Sequence, residues 1–464
     1  MSLENEAPDL PAVQAVANEG LFARLKNDAA AKAITSNIAW LLIDRLIGLA
    51  ATITVTVVVI RYLGPSDYGL LSYALAFVGI LAPVIQLGLD SVTVRELVNE
   101  PSAKFEILGS TFALMFATAL VVMPVAVLAD LFLGGGNRRE QMMVCVLATQ
   151  FLFQSVAVID FWFRSQVRSK YVVWSSKAGL FANAILASFL AYTKADVQWF
   201  TLTTIAETAI TAFGLILFYR LSGGTLRQWS FRWARAMSLL KQGFPFLLGS
   251  LFGAISGRAS FVILKKLATE SDVGQYAAAV RVSEMCYFVP MALVVSLFPA
   301  IVHSRRNLEA VLYDRRIQGL YDVAALIGYA VAVPATLLSR LLLPLVFGKA
   351  YALAGVVLAV HIWTFLLISI GIMRSTWLVA EGLGIHYMLA AASGALVNIG
   401  LNYMLIPRMG VVGAAWAAVA SNLWVVLVSS LFARTLWPCL RHVGMSLLIP
   451  FRWRDAITEL RALR

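Results

Sequence analysis

Residues Arg61–Gly69 read RYLGPSDYG, and residues Lys266–Gly274 read KLATESDVG. A constant offset of 205 places Arg61 on Lys266, Ser66-Asp67 on Ser271-Asp272 and Gly69 on Gly274. In the first copy Gly64-Pro65 stops a helix, because proline has no amide donor and glycine relaxes the chain. Ser66 or Asp67, and Ser271 or Asp272 in the second copy, can cap the helix that follows. Either stretch alone is a short turn. Their repetition carries the information, since equivalent hairpins in both halves of a chain predict a duplicated fold.

The sequence on either side of the hairpins is oily. Hydrophobic residues make up 60% of the 464, charged residues 13%, and mean hydropathy is +0.81. Soluble chains carry roughly 45–50% apolar and about 25% charged residues. Disorder, a fibrous protein and an ordinary soluble enzyme are excluded, and an all-α polytopic membrane protein is predicted. Spanning helices need about 20 apolar residues. Six candidates precede a basic linker at 220–242: 37–61, 67–89, 107–132, 141–163, 171–193 and 197–219. Six follow it: 243–267, 275–301, 317–344, 351–379, 386–406 and 411–436. Residues 1–36 read as a cytosolic tail without the charge-then-apolar order of a signal peptide. Residues 437–464 are basic and amphipathic and read as a cytosolic tail lying on the surface.

The net charge is +12. With both ends in the cytosol, about 23 of the 37 Lys and Arg fall on the cytosolic side, about 8 in outer loops and about 6 inside spans, as the positive-inside rule requires. Six spans per half is an even number, so both halves insert in the same direction. Spans 37–219 and 243–436 then form two parallel six-helix lobes around a central cavity, related by an axis along the membrane normal.

Charges inside hydrocarbon are costly and face a bundle interior or water. The cations are Arg45, Lys177, Arg258, Arg281 and Arg374, and the acids are Asp44, Glu207 and Glu284. The excess of cations predicts a positive cleft that draws anions. Arginine, with its planar fork, suits phosphate. The competing expectations are pairing of Arg281 with Glu284, snorkelling of Arg374, and a Glu207 that neutralises a cation. Asp44, Glu207 and Glu284 are also candidates for proton or Na+ coupling, and no other cofactor is expected. His361 reads as a satisfied interior residue. Gly249, Gly253 and Gly257 stack on one helix face, which predicts close helix packing or a bending and sliding face. Asn183, Asn398, Asn402 and Asn422 read as ties between helices.

Three cysteines and four scattered histidines suggest neither disulfides nor a metal site. No phosphate-binding GxxxxGK[ST] loop is present, so the chain is not expected to hydrolyse ATP. Acidic pairs suited to glycosyl transfer are confined to Lys194-Ala195-Asp196 and Glu270-Ser271-Asp272, which read as loop polarity. Twelve spans without loop chemistry favour transport over catalysis, and no nucleic-acid partner is expected.

Several stretches resemble the polysaccharide flippases (Wzx type) of the multidrug/oligosaccharidyl-lipid/polysaccharide exporter superfamily. Arg61–Gly69 is similar to that family's R-x-L-G-P-x-x-Y-G signature. Gln86-Leu87-Gly88-Leu89 with Val94-Arg95-Glu96 resembles its next block, and Gly410–Ala415 the start of its last core span. The resemblance covers about residues 37–436. It implies a substrate of undecaprenyl diphosphate carrying an oligosaccharide. That substrate would move from the cytosolic to the outer leaflet of a bacterial inner membrane, for O-antigen, capsule or exopolysaccharide assembly. Membrane lipids, a polysaccharide polymerase and export machinery are the implied partners. Lipid II flippases are relatives with fourteen spans, and twelve leans away from them.

The expected mechanism is alternating access, with the diphosphate near Arg258 and Arg45, the sugars in the cleft and the lipid tail in the bilayer. Three rivals are weighed against it. A cation-coupled multidrug antiporter of the same fold needs an acidic cavity. A membrane glycosyltransferase or polymerase needs a catalytic acid and a long outer loop. A scaffold without transport has no use for central charges.

Overall fold

The computed structural model describes residues 28–133, 137–291 and 310–452. The ends of both expected tails and residues 292–301 of the eighth expected span lie outside the described residues. The chain divides into a compact unit ending at Thr54 and a second running from Val55 to Arg464; the packing below concerns the second.

The described residues form helices in the order expected. They are α1 (Asp28–Gln86), α2 (Leu89–Asn99), α3 (Lys104–Leu133), α4 (Arg138–Ala148), α5 (Gln150–Gln154), α6 (Val158–Ser165), α7 (Lys170–Tyr192) and α8 (Thr201–Leu221). After the linker come α9 (Trp233–Leu267), α10 (Glu270–Met285), α11 (Ala310–Phe347), α12 (Ala352–His361), α13 (Trp363–Ala380), α14 (Gly384–Met409), α15 (Val411–Val426) and α16 (Trp437–Leu447). Ten stretches of described helix are long and apolar enough to cross a membrane. One of them, Ala51–Asn99, runs through the first two expected spans, and the eighth expected span is only half described.

Gly64 breaks α1 with φ 69° and ψ 177°, as the Gly-Pro reading requires. In the second hairpin the cap differs from expectation. Thr269, rather than Ser271 or Asp272, caps α10. Its Oγ1 accepts from the Asp272 amide at 3.1 Å, and the Asp272 carboxylate accepts from the Thr269 amide at 3.1 Å. This reciprocal box satisfies two free donors at once.

The two hairpins touch each other. A side chain at Gly69 would strike the carbonyl oxygen of Glu270, and one at Gly274 would strike the carbonyl oxygen of Pro65. The offset of 205 maps Gly69 on Gly274 and Pro65 on Glu270, so the contact is self-reciprocal. Reciprocal contact of equivalent residues is the mark of a two-fold axis. Only glycine permits backbones to meet this closely.

Helix α9 begins ten residues before the expected span, because Arg235 and Lys241 in its first turns make that stretch read as part of the basic linker. Those turns belong with the first half. Arg235 is 20% exposed and holds Glu96 at 3.3 Å, Glu100 at 2.5 Å and Glu106 at 3.2 Å. Gly243 then crosses Gly88 with the two backbones touching, and Pro245 follows inside the helix. At the chain's other end α15 gives way after Val426 to a 3-10 helix, Val428–Phe432, so the apolar span ends near 432, four residues short of the expected 436. The tail helix α16 is docked on protein rather than lying free. Its buried face is Cys439, His442, Val443 and Ser446, and the His442 ring nitrogens meet Asp314 at 3.1 Å and Gln318 at 2.8 Å.

Candidate functional site: a cationic cavity on the repeat axis

A cavity of about 200 Å³ lies between α1, α7, α8, α9 and α10. Thr56, Ser72, Leu75 and Ala76 line it, and so do their repeat mates Phe261, Ala277, Val280 and Arg281. Four equivalent pairs around one space place the cavity on the axis that joins the hairpins. The scaffold is duplicated while the charges are not: Ala76 faces Arg281, and Gly79 stands where the second half has Glu284.

Arg258, Arg281 and Glu284 all line this cavity, and all three are exposed to it. Among the described residues none of the three has a hydrogen-bond or ion-pair partner, so the expected Arg281–Glu284 pair is not formed. The Arg258 guanidinium lies across Gly79, where an added Cβ would come within 2.9 Å of it. Sequence reading missed Gly79; its alignment with Glu284 in the repeat is the signal that points to it. Unpaired guanidinium groups in a space walled by apolar helices leave a positive field with its donors free.

The remaining expected residues are dispersed. The side chains of Asp44 and Arg45 lie outside what the structure describes. Glu207 accepts from Asn183 at 2.5 Å, and Asn183 lines the cavity. Lys177 sits half-buried on α7 and is not among the lining residues. Arg374 is 2% exposed and away from the cavity. It donates to Ser429 at 3.1 Å and Ser430 at 3.3 Å, just past the end of α15. Those hydroxyls belong to the 3-10 helix Val428–Phe432 that continues from α15. Snorkelling and cavity lining both fail for Arg374.

The glycine stack behaves differently from a packing face. Gly249 meets only the Tyr387 ring, at 3.3 Å, and nothing lies within 4 Å of a Cβ at Gly253 or Gly257. The polar ties are as expected except at Asn422, which donates to the Ala418 carbonyl of its own helix. Asn402 donates to Ser260 at 3.1 Å, Asn398 donates to Ser421 at 3.0 Å, and the buried His361 meets Ser283 at 3.1 Å.

At the hairpin end, bonds bridge the first and second halves. Arg61 donates to the carbonyls of Val346 at 2.5 Å and Leu345 at 2.8 Å, and Tyr351 donates to the Ile60 carbonyl at 3.0 Å. Lys265 reaches Glu140 at 3.0 Å and Glu270 at 2.7 Å. The Glu270 carboxylate is therefore an element of this closure and more than loop polarity.

A duplicated helical membrane fold around a polar axial cavity defines the class of multi-pass membrane transporters. The chain aligns with an inward-facing multidrug resistance MATE family transporter of the MOP superfamily at a TM-score of 0.69. The two are 17% identical, with 87% of this chain and 98% of that one covered, which shows the shared fold. Residues 34–305 match the family model described as polysaccharide biosynthesis protein, and the chain belongs to that family. It is 18% identical over 399 residues to the capsular polysaccharide biosynthesis protein CapF of Staphylococcus aureus, covering 85% of this chain and 98% of CapF. It is 23% identical over 334 residues to the succinoglycan biosynthesis transport protein ExoT of Rhizobium meliloti (strain 1021), covering 71% of this chain and 65% of ExoT.

Proposed function

We propose that the protein is a flippase that moves undecaprenyl-diphosphate-linked oligosaccharide across the bacterial inner membrane by alternating access, for surface or exported polysaccharide assembly. One observation carries the reading: Arg258 and Arg281 present to a cavity on the repeat axis guanidinium groups that have no partner among the described residues. A diphosphate supplies the oxygens that these forks lack, and bidentate Arg–phosphate bonds are among the stronger polar contacts. A cavity of about 200 Å³ suits a headgroup. The sugars then extend toward the basic end, and the polyprenyl tail stays in the bilayer.

In this reading the hairpin end faces outward, the termini and the basic linker face the cytosol, and residues 37–219 and 243–436 rock as lobes. The open face at Gly253 and Gly257 leaves room for that motion. Cargo reaches the cavity from the basic end while the hairpin end is bridged. Asp44, Glu207 and Glu284 remain the coupling candidates for a proton or Na+ gradient, and a polymerase and export machinery take the product onward. Two cations against one acid in the cavity favour this reading over a multidrug antiporter for cationic drugs, and family and fold point to transport rather than catalysis.

The test is Arg258→Ala in a knockout strain carrying the gene on a plasmid. Polymer export is expected to be lost while the variant still inserts in the membrane at the normal level. Normal export with that variant sinks the assignment.

A further inference from the structure

The hairpin end holds titratable groups that the cargo site does not use. Asp130, near the end of α3, is 1% exposed, and Glu140, in the first turn of α4, is 0% exposed. Tyr73 of α1 donates to Asp130 Oδ1 at 2.9 Å, and its hydroxyl also faces the Glu140 carboxylate. Across the repeat boundary, Lys265 of α9 reaches Glu140 Oε2 and Glu270 Oε1. Asn137 adds a bond to Glu270 at 3.3 Å. Asp67, Arg139 and Asp196 complete the charged surroundings of this cluster. Among the described residues Asp130 Oδ2 and both Glu140 carboxylate oxygens are buried without a hydrogen-bond partner, and Lys265 meets Glu140 Oε2 as an ion pair alone.

Lys265 thus pairs with Glu140 and Glu270, and Asp130 has no cation within ion-pair distance among the described residues. Glu270 is 38% exposed and keeps water, whereas Asp130 and Glu140 do not. A buried carboxylate with an oxygen left empty is unfavourable unless its charge is removed or its lone pairs are met. A proton does both. On Asp130 Oδ2 it cancels the surplus charge and turns an orphan acceptor into a donor.

We propose that Asp130 and Glu140 form a proton-binding site that is complete only while the hairpin end is shut, so that closure takes up one proton and opening releases it. The step is a bare protonation: an O–H bond forms on the Asp130 carboxylate from solvent hydronium, and no electrons are transferred. Opening carries Lys265 and Glu270 away together, since they lie on consecutive helices of the second half. Asp130 and Glu140 then meet water, and both ionise. The site rests on the alternating-access reading above and gives it a dependence on pH. The sign follows from the proton count. The shut state holds one proton more, so acid favours it, and the shut-to-open ratio changes by up to about tenfold per pH unit.

The test uses the full chain in detergent micelles without cargo. Spin labels at positions 192 and 409, exposed sites on opposite halves at the hairpin end, report the separation by pulsed electron resonance. The background has Cys145, Cys286 and Cys439 replaced by Ala and is first shown to support export. Between about pH 5 and 8 the shut fraction is expected to fall as pH rises. Asp130→Asn, whose amide mimics the neutral acid, is expected to stay shut at every pH. Glu140→Gln, which loses the Lys265 ion pair, is expected to open at every pH. A wild-type ratio that does not move with pH overturns the proposal, even if neither variant folds. An Asp130→Asn variant that titrates like the wild type overturns it too. No cargo is present, so these failures speak against this site alone, whereas Arg258→Ala tests the cargo reading.

Discussion

Gly274→Ala tests the duplicated architecture where the two halves meet. The new methyl group points at the Pro65 carbonyl oxygen and lies 3.1 Å from the Gly69 amide nitrogen. Ordinary carbon contacts need roughly 3.5–4.0 Å, so the hairpins must separate by on the order of 1 Å, which forfeits a quarter to a half of each contact's attraction. Neither obstacle is a flexible side chain; both are backbone. Overpacking of this kind typically costs about 1–3 kcal/mol, and that range corresponds to roughly a 5–150-fold shift between two states. The cost falls on the shut conformation, where the glycines touch. The spin-label pair at 192 and 409 should therefore show a larger open fraction at any fixed pH. Gly69→Ala should do the same by a similar amount, because its methyl group meets the mirror-related Glu270 carbonyl. The double variant should cost less than the sum, since one separation relieves both clashes. If Gly274→Ala leaves the distance distribution unchanged, the reciprocal contact does not hold the halves together. Strict additivity of the two would equally refute a shared contact.

Gly79→Val should push the Arg258 side chain out of its place across α1, since even a Cβ comes within 2.9 Å of the guanidinium. Export is expected to fall with normal membrane insertion, and unchanged export would show that this position of Arg258 is not the working one. Arg235→Ala should release the first turns of α9 from Glu96, Glu100 and Glu106. A loss of roughly 1–3 kcal/mol is expected for a charge network of this kind, more than for an isolated surface pair. Thermal unfolding in detergent should show a lower midpoint, and the gap to wild type should narrow at high salt as screening weakens the network. An unchanged midpoint at low salt would refute the clamp.

Much of the fold is legible in the sequence because a membrane demands it. Apolar runs there have to be helices of about 20 residues, and the described helices follow them closely. The differences occur where helix and hydrocarbon part company. The first turns of α9 carry Arg235 and Lys241 and read as basic linker, yet three glutamates bind Arg235 there. The stretch after Val426 is apolar and reads as span, and it does continue to Phe432, but as a tighter 3-10 helix whose Ser429 and Ser430 accept from Arg374. Apolar runs find the membrane; they do not find where a helix begins or ends against its neighbours.

The site is legible in part. Depth within a span singles out Arg258 and Arg281, and both line the cavity, because a charge that cannot reach the interface has to face something polar. The same argument fails for Arg374, which is buried away from the cavity and donates to the hydroxyls of Ser429 and Ser430. Gly79, Asp130, Glu140 and Lys265 carry no signal of their own. Each matters through a partner more than 50 residues away in sequence, and Lys265 through its near neighbour Glu270 as well.

The sequence alone determined the duplication and the helical membrane class. Those follow from local hydropathy and from an offset that a short motif reveals. Only the tertiary structure decided that the repeated hairpins touch reciprocally, that four repeat-related pairs wall one cavity, and that the charges there belong to the second half. An axis between two helix bundles is set by which backbones approach one another, and that depends on contacts between residues about 205 apart in the chain. No local reading of composition reaches that far.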